Sequence, residues 1–374
     1  MKIAVNTQLL LKNKLEGIGW FAYETLKRIT QQHPEHHFLF IFDREYSEEF
    51  IFSENITPIV VGPQSRHPLL WYMRFEYLIP SLIKNYGADL FLSPDGWSTT
   101  KTDMKKLVVL HDLSFEHYPD AVSFANRIYL KHFFPRYASG ATRIATVSEF
   151  SKKDISEKYK IDASKIDVVY NGASKIYSPV SEDEKQKTKK EFTAGADYFI
   201  CVGSMHPRKN IARLLQAFDE MKKTSANKLK LVLVGEKYWW TKEMEYAYNN
   251  MQNKSEVIFI GRLSQEKLKA ILGSALAMVY PSYFEGFGIP LIEAMQCDIP
   301  VITSNVSSMP EIAKDAALFI DPFSVDSIKE ALLKIANENT LRNSLIAKGR
   351  IIRENYSWDK TATLLWSSVE KCFQ

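Results

Sequence analysis

Residues 280–295, YPSYFEGFGIPLIEAM, are the stretch of the chain that says most about its fold. An apolar run ends at Pro281, two glycines follow, and Pro290 stands where a first helical residue is expected, since the missing N–H costs nothing there. The pattern predicts a strand, a loop and the start of a helix. Glycines allow backbone N–H groups to approach a ligand, and a helix start carries partial positive charge, so a diphosphate is the expected occupant.

On both sides of this stretch, short β-branched or aromatic runs alternate with longer amphipathic stretches. In the first half the predicted strands cover residues 2–5, 37–42, 58–61, 89–93, 106–110, 143–147 and 166–170. In the second half they cover residues 198–203, 229–235, 257–261, 277–281, 300–303 and 317–320. Strands separated by helix-length segments predict an α/β fold with two Rossmann-like parallel-sheet domains facing a central cleft, where the carboxyl ends of strands bind ligands.

A linker with the charged run 182–185 separates the two series of strands and leads into a short predicted helix. We place the boundary in it, with an N-terminal domain at 1–175 and a C-terminal domain at 176–355. The length of 374 residues also favours two domains.

Charge and cysteine usage exclude several classes of protein. The 48 basic and 44 acidic residues give a net charge of +4, so nothing indicates a nucleic-acid partner. Cys201, Cys297 and Cys372 are odd in number and lie far apart in no metal-ligand spacing, which argues against a disulfide scaffold or zinc site and favours a reducing compartment. No signal peptide or long apolar run is present, so we expect a cytoplasmic protein without a membrane span.

Two carboxylates mark the 280–295 stretch as a candidate site. Glu285 falls in the predicted loop and Glu293 in the first helical turn, so the pair can bond two hydroxyl-bearing parts of one ligand. The alternative is that Glu293 only complements the helix dipole and that Glu285 is solvated. The neighbouring glycines favour the functional interpretation.

A second strand-to-helix junction, CVGSMHPRKN at residues 201–210, carries adjacent cations. Arg208 and Lys209 can both reach a diphosphate, Arg208 by its planar fork and Lys209 as a point charge. The alternative is a solvated basic pair. Positive side chains at a helix start are unfavourable because the helix dipole is also positive there, so an anion is expected to neutralise the charge of Arg208 and Lys209. The helix that follows has one apolar side, formed by Ile211, Leu214, Leu215 and Phe218.

The first half offers a histidine and a glycine-containing segment. His111 follows a predicted strand, where it suits hydrogen bonding or proton exchange, although a structural role is about as common for a single histidine. Ser148 is a predicted helix N-cap. Residues 16–22, EGIGWFA, match a dinucleotide-binding pattern loosely, but about ten residues separate them from the strand end at Asn6, so we interpret Gly17 to Gly19 as a flexible loop over the cleft rather than an NAD site.

Taken together, these motifs resemble those of retaining glycosyltransferases of the large GT-B family that includes sucrose synthases, phosphatidylinositol mannosyltransferases and bacterial O-antigen mannosyltransferases. The resemblance covers nearly the whole chain. The motifs that carry it are Gly17-Ile18-Gly19, His111-Asp112-Leu113, Thr146-Val147-Ser148-Glu149, Asn171-Gly172, Pro207-Arg208-Lys209-Asn210, Glu285-Gly286-Phe287-Gly288 with Glu293, and Tyr356-Ser357-Trp358. The resemblance also implies that residues 356–374 form a helix that crosses back to the first domain.

The resemblance implies a role for each site residue. Glu285 would bond hydroxyls of the transferred sugar and Glu293 the donor ribose, while Arg208 and Lys209 would neutralise the diphosphate. His111 would contact the sugar near its reacting carbon. The other implied contacts come largely from backbone groups: Gly17 and Gly19 toward the phosphates and acceptor, Gly203 and Ser204 at the donor site, Arg262 and Leu263 toward the base, and Gly286, Phe287, Gly288 and Ile289 toward the sugar and diphosphate.

The resemblance also implies the chemistry. It predicts transfer of a hexose, with mannose from GDP-mannose as the first candidate, from a nucleotide-diphosphate sugar to a glycan or lipid-linked glycan in surface polysaccharide synthesis. No cofactor or metal is expected, since Arg208 and Lys209 would neutralise the leaving group. The alternatives are a nucleotide-sugar epimerase and a non-catalytic nucleotide-sugar binding protein, with an NAD oxidoreductase a distant third.

Two departures from the family pattern and one aromatic stretch add further expectations. Asp298 stands where the family often has a left-handed glycine at a helix end, and Glu16 where a second glycine is usual. Residues 67–86 combine aromatic side chains such as Trp71 with Arg74, so they predict either a helix in peripheral contact with the inner membrane surface or a core helix on the first sheet.

Overall fold

Parallel strands in two separate sheets form the framework of the computed structural model, which describes residues 1–224 and 228–374. The strands are β1 (Lys2–Asn6), β2 (His37–Phe42), β3 (Ile56–Val60), β4 (Leu90–Ser93), β5 (Lys105–Val109), β6 (Arg143–Thr146), β7 (Ile166–Val168), β8 (Tyr198–Val202), β9 (Lys230–Val234), β10 (Val257–Gly261), β11 (Ala277–Tyr280), β12 (Val301–Ser304) and β13 (Ala317–Ile320).

Helices connect nearly all consecutive strands. They are α1 (Gly17–Gln32), α2 (Pro68–Met73), α3 (Ile79–Asn85), α4 (Ser114–His117), α5 (Phe124–Ser139), α6 (Glu149–Tyr159), α7 (Glu182–Thr193), α8 (Ile211–Thr224), α9 (Lys242–Asn249), α10 (Gln265–Gly273), α11 (Ile289–Gln296), α12 (Met309–Ala313), α13 (Val325–Asn337), α14 (Asn339–Ile352) and α15 (Trp358–Lys371).

The chain divides into two compact units. The first unit comprises Met1–Gly172 together with Ser357–Gln374, and the second comprises Ala173–Tyr356. The helix α15 is therefore part of the first unit, although it follows the second in sequence.

The first unit contains a seven-stranded sheet in the order β3-β2-β1-β4-β5-β6-β7. Its central strand β1 pairs in parallel with β2 and β4, so that Val5 lies opposite Phe40 on one side and Leu92 on the other. All three of these side chains are fully buried. Continuous apolar runs of this kind are typical of parallel sheets with both faces covered.

The second unit contains a six-stranded sheet in the order β10-β9-β8-β11-β12-β13. Its core includes the apolar side of α8, where Ile211, Leu214, Leu215 and Phe218 are buried as predicted. Burial of one such side chain contributes about 2 kcal/mol. The predicted fold class, two Rossmann-like parallel sheets in an α/β protein, is confirmed.

Several local expectations are also confirmed. Every predicted strand is present, with ends shifted by at most two residues. The Ser148 hydroxyl caps α6 by accepting a hydrogen bond from the Ser151 N–H at 3.1 Å. Asp298 has a φ of 57°, the left-handed conformation expected at that position.

The prediction of a flexible loop at Gly17 to Gly19 is wrong. These residues form the first turn of α1, and Gly19 is buried. A methyl group at Gly19 would lie 3.1 Å from the Leu9 carbonyl oxygen and 3.2 Å from the Leu15 side chain. The glycine therefore lets the helix pack closely on the segment that precedes it.

The helix predicted over residues 67–86 is present from Pro68 to Asn85, and a π-helical turn at Arg74–Leu78 joins α2 to α3. The Arg74 guanidinium is fully buried and donates to the carbonyls of Val61 and Ile41 at 2.5 and 3.2 Å. The Trp71 indole donates to the Ser65 carbonyl at 2.7 Å. Arg74 therefore lies in the interior of the first unit, and Trp71 is partly buried there.

Candidate active site

The carboxyl edge of the second sheet brings together the two segments that carry the candidate residues. Strands β8 and β11 are direct neighbours, with Phe199 opposite Ala277. The loops that follow them, residues 203–210 and 281–288, are therefore adjacent. Ligands of parallel α/β sheets bind at this edge.

A short 3₁₀ turn at Pro207–Lys209 shapes the first of these loops. Gly203 precedes it with a φ of +134°, and a methyl group on Gly203 would lie 3.3 Å from the Lys209 Cε. The absence of a side chain there lets the Lys209 stem cross the strand end. Asn210 ends the turn in the left-handed conformation, and its amide donates to the carbonyls of Pro281 and Pro322 at 3.1 and 2.6 Å. This residue ties the two loops together.

A buried ionic cluster lies where the loops meet. The Lys209 Nζ lies 2.7 Å from the Glu285 Oε1, and the Arg208 guanidinium contacts the Glu285 Oε2. The Tyr280 hydroxyl donates to the Glu285 Oε1 at 3.0 Å and also contacts the Lys209 Nζ. Two predicted cations, Arg208 and Lys209, thus share the carboxylate of Glu285, which lies 77 and 76 positions after them in sequence.

The electrostatics of this cluster fix its charge state. Burial alone would raise the pKa of the Glu285 carboxyl, but the adjacent charges of Arg208 and Lys209 outweigh it and lower that pKa to about 2. Burial lowers the pKa of Lys209, and it raises the pKa of the Tyr280 hydroxyl well above its usual value. The cluster thus places two basic side chains beside one carboxylate and a neutral phenol, and this excess of basic groups suits an anionic ligand.

The second predicted carboxylate has a different partner. The prediction that Glu293 lies in the first helical turn is wrong, because α11 begins at Ile289 and Glu293 is the fifth of its eight residues. Glu293 is partly buried and interacts with the Tyr177 hydroxyl rather than with the cationic pair. Burial raises the pKa of Glu293 to about 7, although the Tyr177 hydrogen bond opposes the shift. A carboxyl group with this pKa is ready to accept hydrogen bonds from a ligand that brings its own hydroxyl donors.

The glycine-containing segment between the carboxylates is held by the loop after β12. The Glu285 N–H donates to the Ser307 hydroxyl at 3.1 Å, and the Ser308 hydroxyl donates to the carbonyls of Glu285 and Phe287 at 2.9 and 3.2 Å. Gly286, Phe287 and Gly288 are buried. Gly288 has a φ of +94° and leads directly into α11, whose first residue is Ile289, so Pro290 occupies the second helical position instead of the first.

The remaining predicted residues of this unit also follow strands of the same sheet. Ser204 comes after β8 and is exposed. Arg262 and Leu263 come directly after β10, with Arg262 exposed and Leu263 half-buried. All three therefore lie at the edge that carries the ionic cluster.

The predicted residues of the first unit follow or face the strands of its own sheet. His111 comes after β5; its Nε2 donates to the Pro94 carbonyl at 2.8 Å, and its ring packs edge-on against Phe21. Burial lowers the pKa of His111, so the ring is neutral at pH 7. Gly17 and Gly19 lie in α1, which also carries Phe21.

A buried carboxylate beside this histidine was not predicted. Asp95 accepts hydrogen bonds from the Asn6 amide at 2.9 Å, the Gln8 amide at 2.8 Å and the Ser93 hydroxyl at 2.9 Å. It follows Pro94, the residue whose carbonyl holds His111. The network fixes the segment after β4. Asp95 comes two residues after a predicted strand, close to the position that His111 has after its strand, and that position is the signal that could have identified it.

Sequence reasoning also missed four residues of the second unit. Tyr280 belongs to residues 280–295, but the sequence predicts only a strand residue there. Tyr177, Ser307 and Ser308 contact the site only through the folded chain, from segments without a motif.

Among the helices of the described residues, none is long and apolar enough to cross a membrane.

Comparison with known proteins relates both units to glycosyltransferases. Residues 15–174 match the model described as Glycosyltransferase Family 4, and residues 182–351 match the model described as Glycosyl transferases group 1. The chain is 26% identical to O-antigen chain mannosyltransferase B of Escherichia coli over 97% of this chain and 98% of that protein. It is 28% identical to O-antigen chain mannosyltransferase RfbU of Salmonella typhimurium over 78% of each.

A solved structure supports the same fold. Sucrose-phosphate synthase from Thermosynechococcus elongatus superimposes with a TM-score of 0.78 at 18% sequence identity, covering 100% of this chain and 99% of that one. The two matching models cover most of the chain between them, and each unit has a Rossmann-like parallel sheet; the chain belongs to the group 1 family of GT-B glycosyltransferases.

Proposed function

We propose that this glycosyltransferase moves a hexose from a nucleotide-diphosphate sugar to a glycan or lipid-linked glycan during surface polysaccharide synthesis, with retention of configuration at the transferred carbon. The observation that carries the proposal is the buried cluster in which Arg208 and Lys209 share the Glu285 carboxylate. GDP-mannose is the proposed donor, because the relatives matched over most of their length are named O-antigen mannosyltransferases.

Arg208 and Lys209 stabilise the negative charge of the leaving group in this proposal. Cleavage of a glycosyl phosphate bond places negative charge on the departing diphosphate, and preorganised cations at that position are the main source of rate. Glu285 holds both side chains in place before a donor binds. The cations do not depend on a metal for this role, so we propose a metal-independent reaction.

The two carboxylates have separate tasks in the proposal. Glu285, charged at neutral pH, accepts hydrogen bonds from hydroxyls of the transferred sugar, while Glu293 accepts them from the donor ribose. Gly203, Ser204, Gly286, Phe287, Gly288 and Ile289 line the sugar and diphosphate, and Arg262 and Leu263 meet the base.

In the first unit, His111 is assigned to the transferred sugar and Gly17 and Gly19 to the acceptor side. Because the His111 Nε2 donates to the Pro94 carbonyl and the ring is neutral, its Nδ1 carries the acceptor lone pair. The ring thus accepts a hydrogen bond from a sugar hydroxyl instead of protonating the substrate. We name no enzymatic nucleophile: the acceptor hydroxyl attacks on the face that the diphosphate leaves, and its proton passes to the leaving phosphate.

We place the reaction in the cytoplasm. A lipid-linked acceptor would bring the chain to the inner membrane surface, and the apolar side chains of Leu69 and Tyr77 are 61% and 58% exposed in the first unit. The buried Arg74 and the partly buried Trp71 have no part in such a contact.

The test is a panel of nucleotide sugars incubated with and without glycan acceptors, free and in lipid vesicles, with diphosphate release and glycan mass followed by mass spectrometry. We expect GDP-mannose to yield GDP and a glycan longer by one hexose, with undiminished turnover in EDTA. An isomerised donor without diphosphate release would establish an epimerase, and binding without any product would establish a binding protein. Loss of turnover in EDTA would refute metal independence.

Variants connect this activity to the cluster. Lys209→Ala should lower turnover by about a hundredfold, the loss of about 3 kcal/mol typical for one preorganised charge-stabilising group. Glu285→Gln should abolish transfer, while Lys267→Ala, which removes an exposed lysine of the same unit, should leave it unchanged. If the Lys209→Ala protein unfolds at the wild-type temperature and keeps full activity, the ionic cluster takes no part in the transfer reaction.

A further inference from the structure

The turn between α1 and β2 places three potential metal ligands close together in the first unit. His33, Glu35 and His36 each offer one ligand atom, and these atoms lie within 4.8 Å of one another. The Glu35 Oε1 lies 3.4 Å from the His33 Nδ1 and 3.3 Å from the His36 Nε2. Zinc bonds of about 2.0–2.1 Å in a tetrahedron separate neighbouring ligands by about 3.4 Å, so both distances already match a zinc site.

The turn that carries these residues is held rigidly. The His36 N–H donates to the His33 carbonyl at 3.2 Å, and Pro34 occupies the following position, where its fixed φ favours such a turn. The Asn55 amide then donates to the carbonyls of His33 and His36 at 3.1 and 2.9 Å. The spacing of the two rings is therefore set by the fold rather than by a metal.

The orientation of the rings is set as well. The His33 ring stacks on Trp366 with 3.8 Å between centroids and 18° between planes, and the His36 ring lies over the same indole at 5.1 Å. The planes of the two imidazoles are nearly parallel, with an angle of 11° between them and 6.1 Å between the ring centroids. Their inner nitrogens both face the Glu35 carboxylate, whose side chain is 59% exposed and leaves one side of the group open to water.

We propose that His33, Glu35 and His36 bind one Zn²⁺, with water completing the tetrahedron. Two neutral imidazoles and one carboxylate are a donor set that zinc commonly takes. Metal binding at the His36 Nε2 leaves the proton on its Nδ1, so the Met1 amine, now 3.2 Å from that atom, turns away into solvent.

The position of the site indicates a structural role. The turn precedes β2, at the amino edge of the parallel sheet, whereas His111 follows β5 at the carboxyl edge. Trp366 belongs to α15, so a metal that fixes the two rings also fixes the surface on which this helix packs. The site is therefore independent of the proposed transfer reaction.

Calorimetric titration of the tag-free, full-length protein with Zn²⁺ tests the proposal. We expect one Zn²⁺ per chain with a micromolar dissociation constant, and an unfolding temperature raised by about 5 °C at a hundredfold excess over that constant. Glu35→Gln and His36→Asn should each weaken binding by at least about tenfold. His37→Gln is the matched control, because its ring lies 3.0 Å from the Thr57 hydroxyl and outside the group.

Paramagnetic Co²⁺ locates the metal. Binding of Co²⁺ should quench the fluorescence of Trp366, and Trp366→Phe, which retains an aromatic surface for stacking, should remove that quenching while keeping the stoichiometry. Absence of a site tighter than millimolar would overturn the proposal, as would Zn²⁺ binding that Glu35→Gln and His36→Asn leave unchanged. Turnover of nucleotide sugar should be the same with and without Zn²⁺.

Discussion

Two glutamates of the second unit have opposite pKa shifts although they are close in sequence. Arg208 and Lys209 hold the pKa of Glu285 at about 2, whereas burial without a cationic partner raises the pKa of Glu293 to about 7. The surroundings of each carboxyl group, rather than the residue type, therefore determine its pKa and the role proposed for it. Near neutral pH Glu285 therefore stays ionised, whereas Glu293 titrates.

This difference makes donor binding depend on pH. Ribose hydroxyls that donate to Glu293 favour its charged form and lower its pKa in the complex, so affinity should rise as pH increases through 7. Between pH 6 and 8 we expect the dissociation constant of the nucleotide sugar, whose diphosphate diester does not titrate there, to fall about tenfold. Fluorescence titration across this range measures it.

Glu293→Gln should flatten that profile, while Glu243→Gln, an exposed change in the same unit, should preserve it. The raised pKa also costs the folded protein up to about 3 kcal/mol above pH 7, a cost absent below the ordinary pKa of 4.5. The ligand-free Glu293→Gln protein should therefore be the more stable one at pH 8 and equal to wild type at pH 4. A wild-type profile independent of pH would contradict the ribose assignment.

At the scale of elements, the sequence predicts strands and junctions well because parallel strands buried on both faces are short continuous apolar runs. The run before Pro281 and the glycines after it specify β11 and the entry to α11. The error at Gly17 to Gly19 has a physical cause: a glycine pair signals close packing as readily as a loop. Only the folded chain shows that Gly19 faces the Leu9 carbonyl.

The candidate site was predictable only in part, because some of its contacts form only in the folded chain. Arg208, Lys209 and Glu285 belong to motifs at strand ends, and the structure brings them together. Tyr177 takes part through a contact between distant segments, which leaves no local pattern. The sequence contains the charges but not the geometry that shifts their pKa values.

The junction of β8 and β9 provides a test at this scale. Gly235 has a φ of +141°, and a methyl group there would lie 2.0 Å from the Gly203 carbonyl oxygen, directly beneath the Lys209 side chain. Gly235→Ala should therefore cost more than about 3 kcal/mol of unfolding free energy and abolish donor binding. Urea denaturation and nucleotide titration measure both effects.

Gly195→Ala is the control for backbone strain alone. Gly195 also has a positive φ, +86°, but nothing lies within 4 Å of a methyl group at that position. This variant should lose only about 1 kcal/mol and bind donor normally. Equal losses of unfolding free energy in Gly235→Ala and Gly195→Ala would mean that the close contact with Gly203 does not add to the destabilisation.

At the scale of the whole molecule, the first unit depends on residues from both parts of the chain. The Thr361 hydroxyl donates to the Tyr170 carbonyl at 2.7 Å, and Asp359 pairs with Arg28 of α1 at 2.7 Å. At Gly172 an added methyl group would lie 2.2 Å from the Trp358 nitrogen. These contacts anchor α15 on the first sheet and its helix α1.

Adjacent leucines of α15 test how much this packing contributes. Leu365 is fully buried and Leu364 is 39% exposed. Leu365→Ala should lower the free energy of unfolding by about 3 kcal/mol, whereas Leu364→Ala should change it by less than about 0.5 kcal/mol. Denaturation of both variants in urea gives the comparison. Similar values for the two would mean that α15 adds little to the first unit.

The division of the first unit between Met1–Gly172 and Ser357–Gln374 has a consequence for biosynthesis. The segment Met1–Gly172 leaves the ribosome early in synthesis. The helix α15, which completes the same unit, leaves it only after the intervening 184 residues, Ala173–Tyr356, have been translated. Domains generally fold as they emerge. The nascent N-terminal half must therefore wait with the binding surface for α15 uncovered, and a chaperone that shields this surface should raise the yield of folded enzyme.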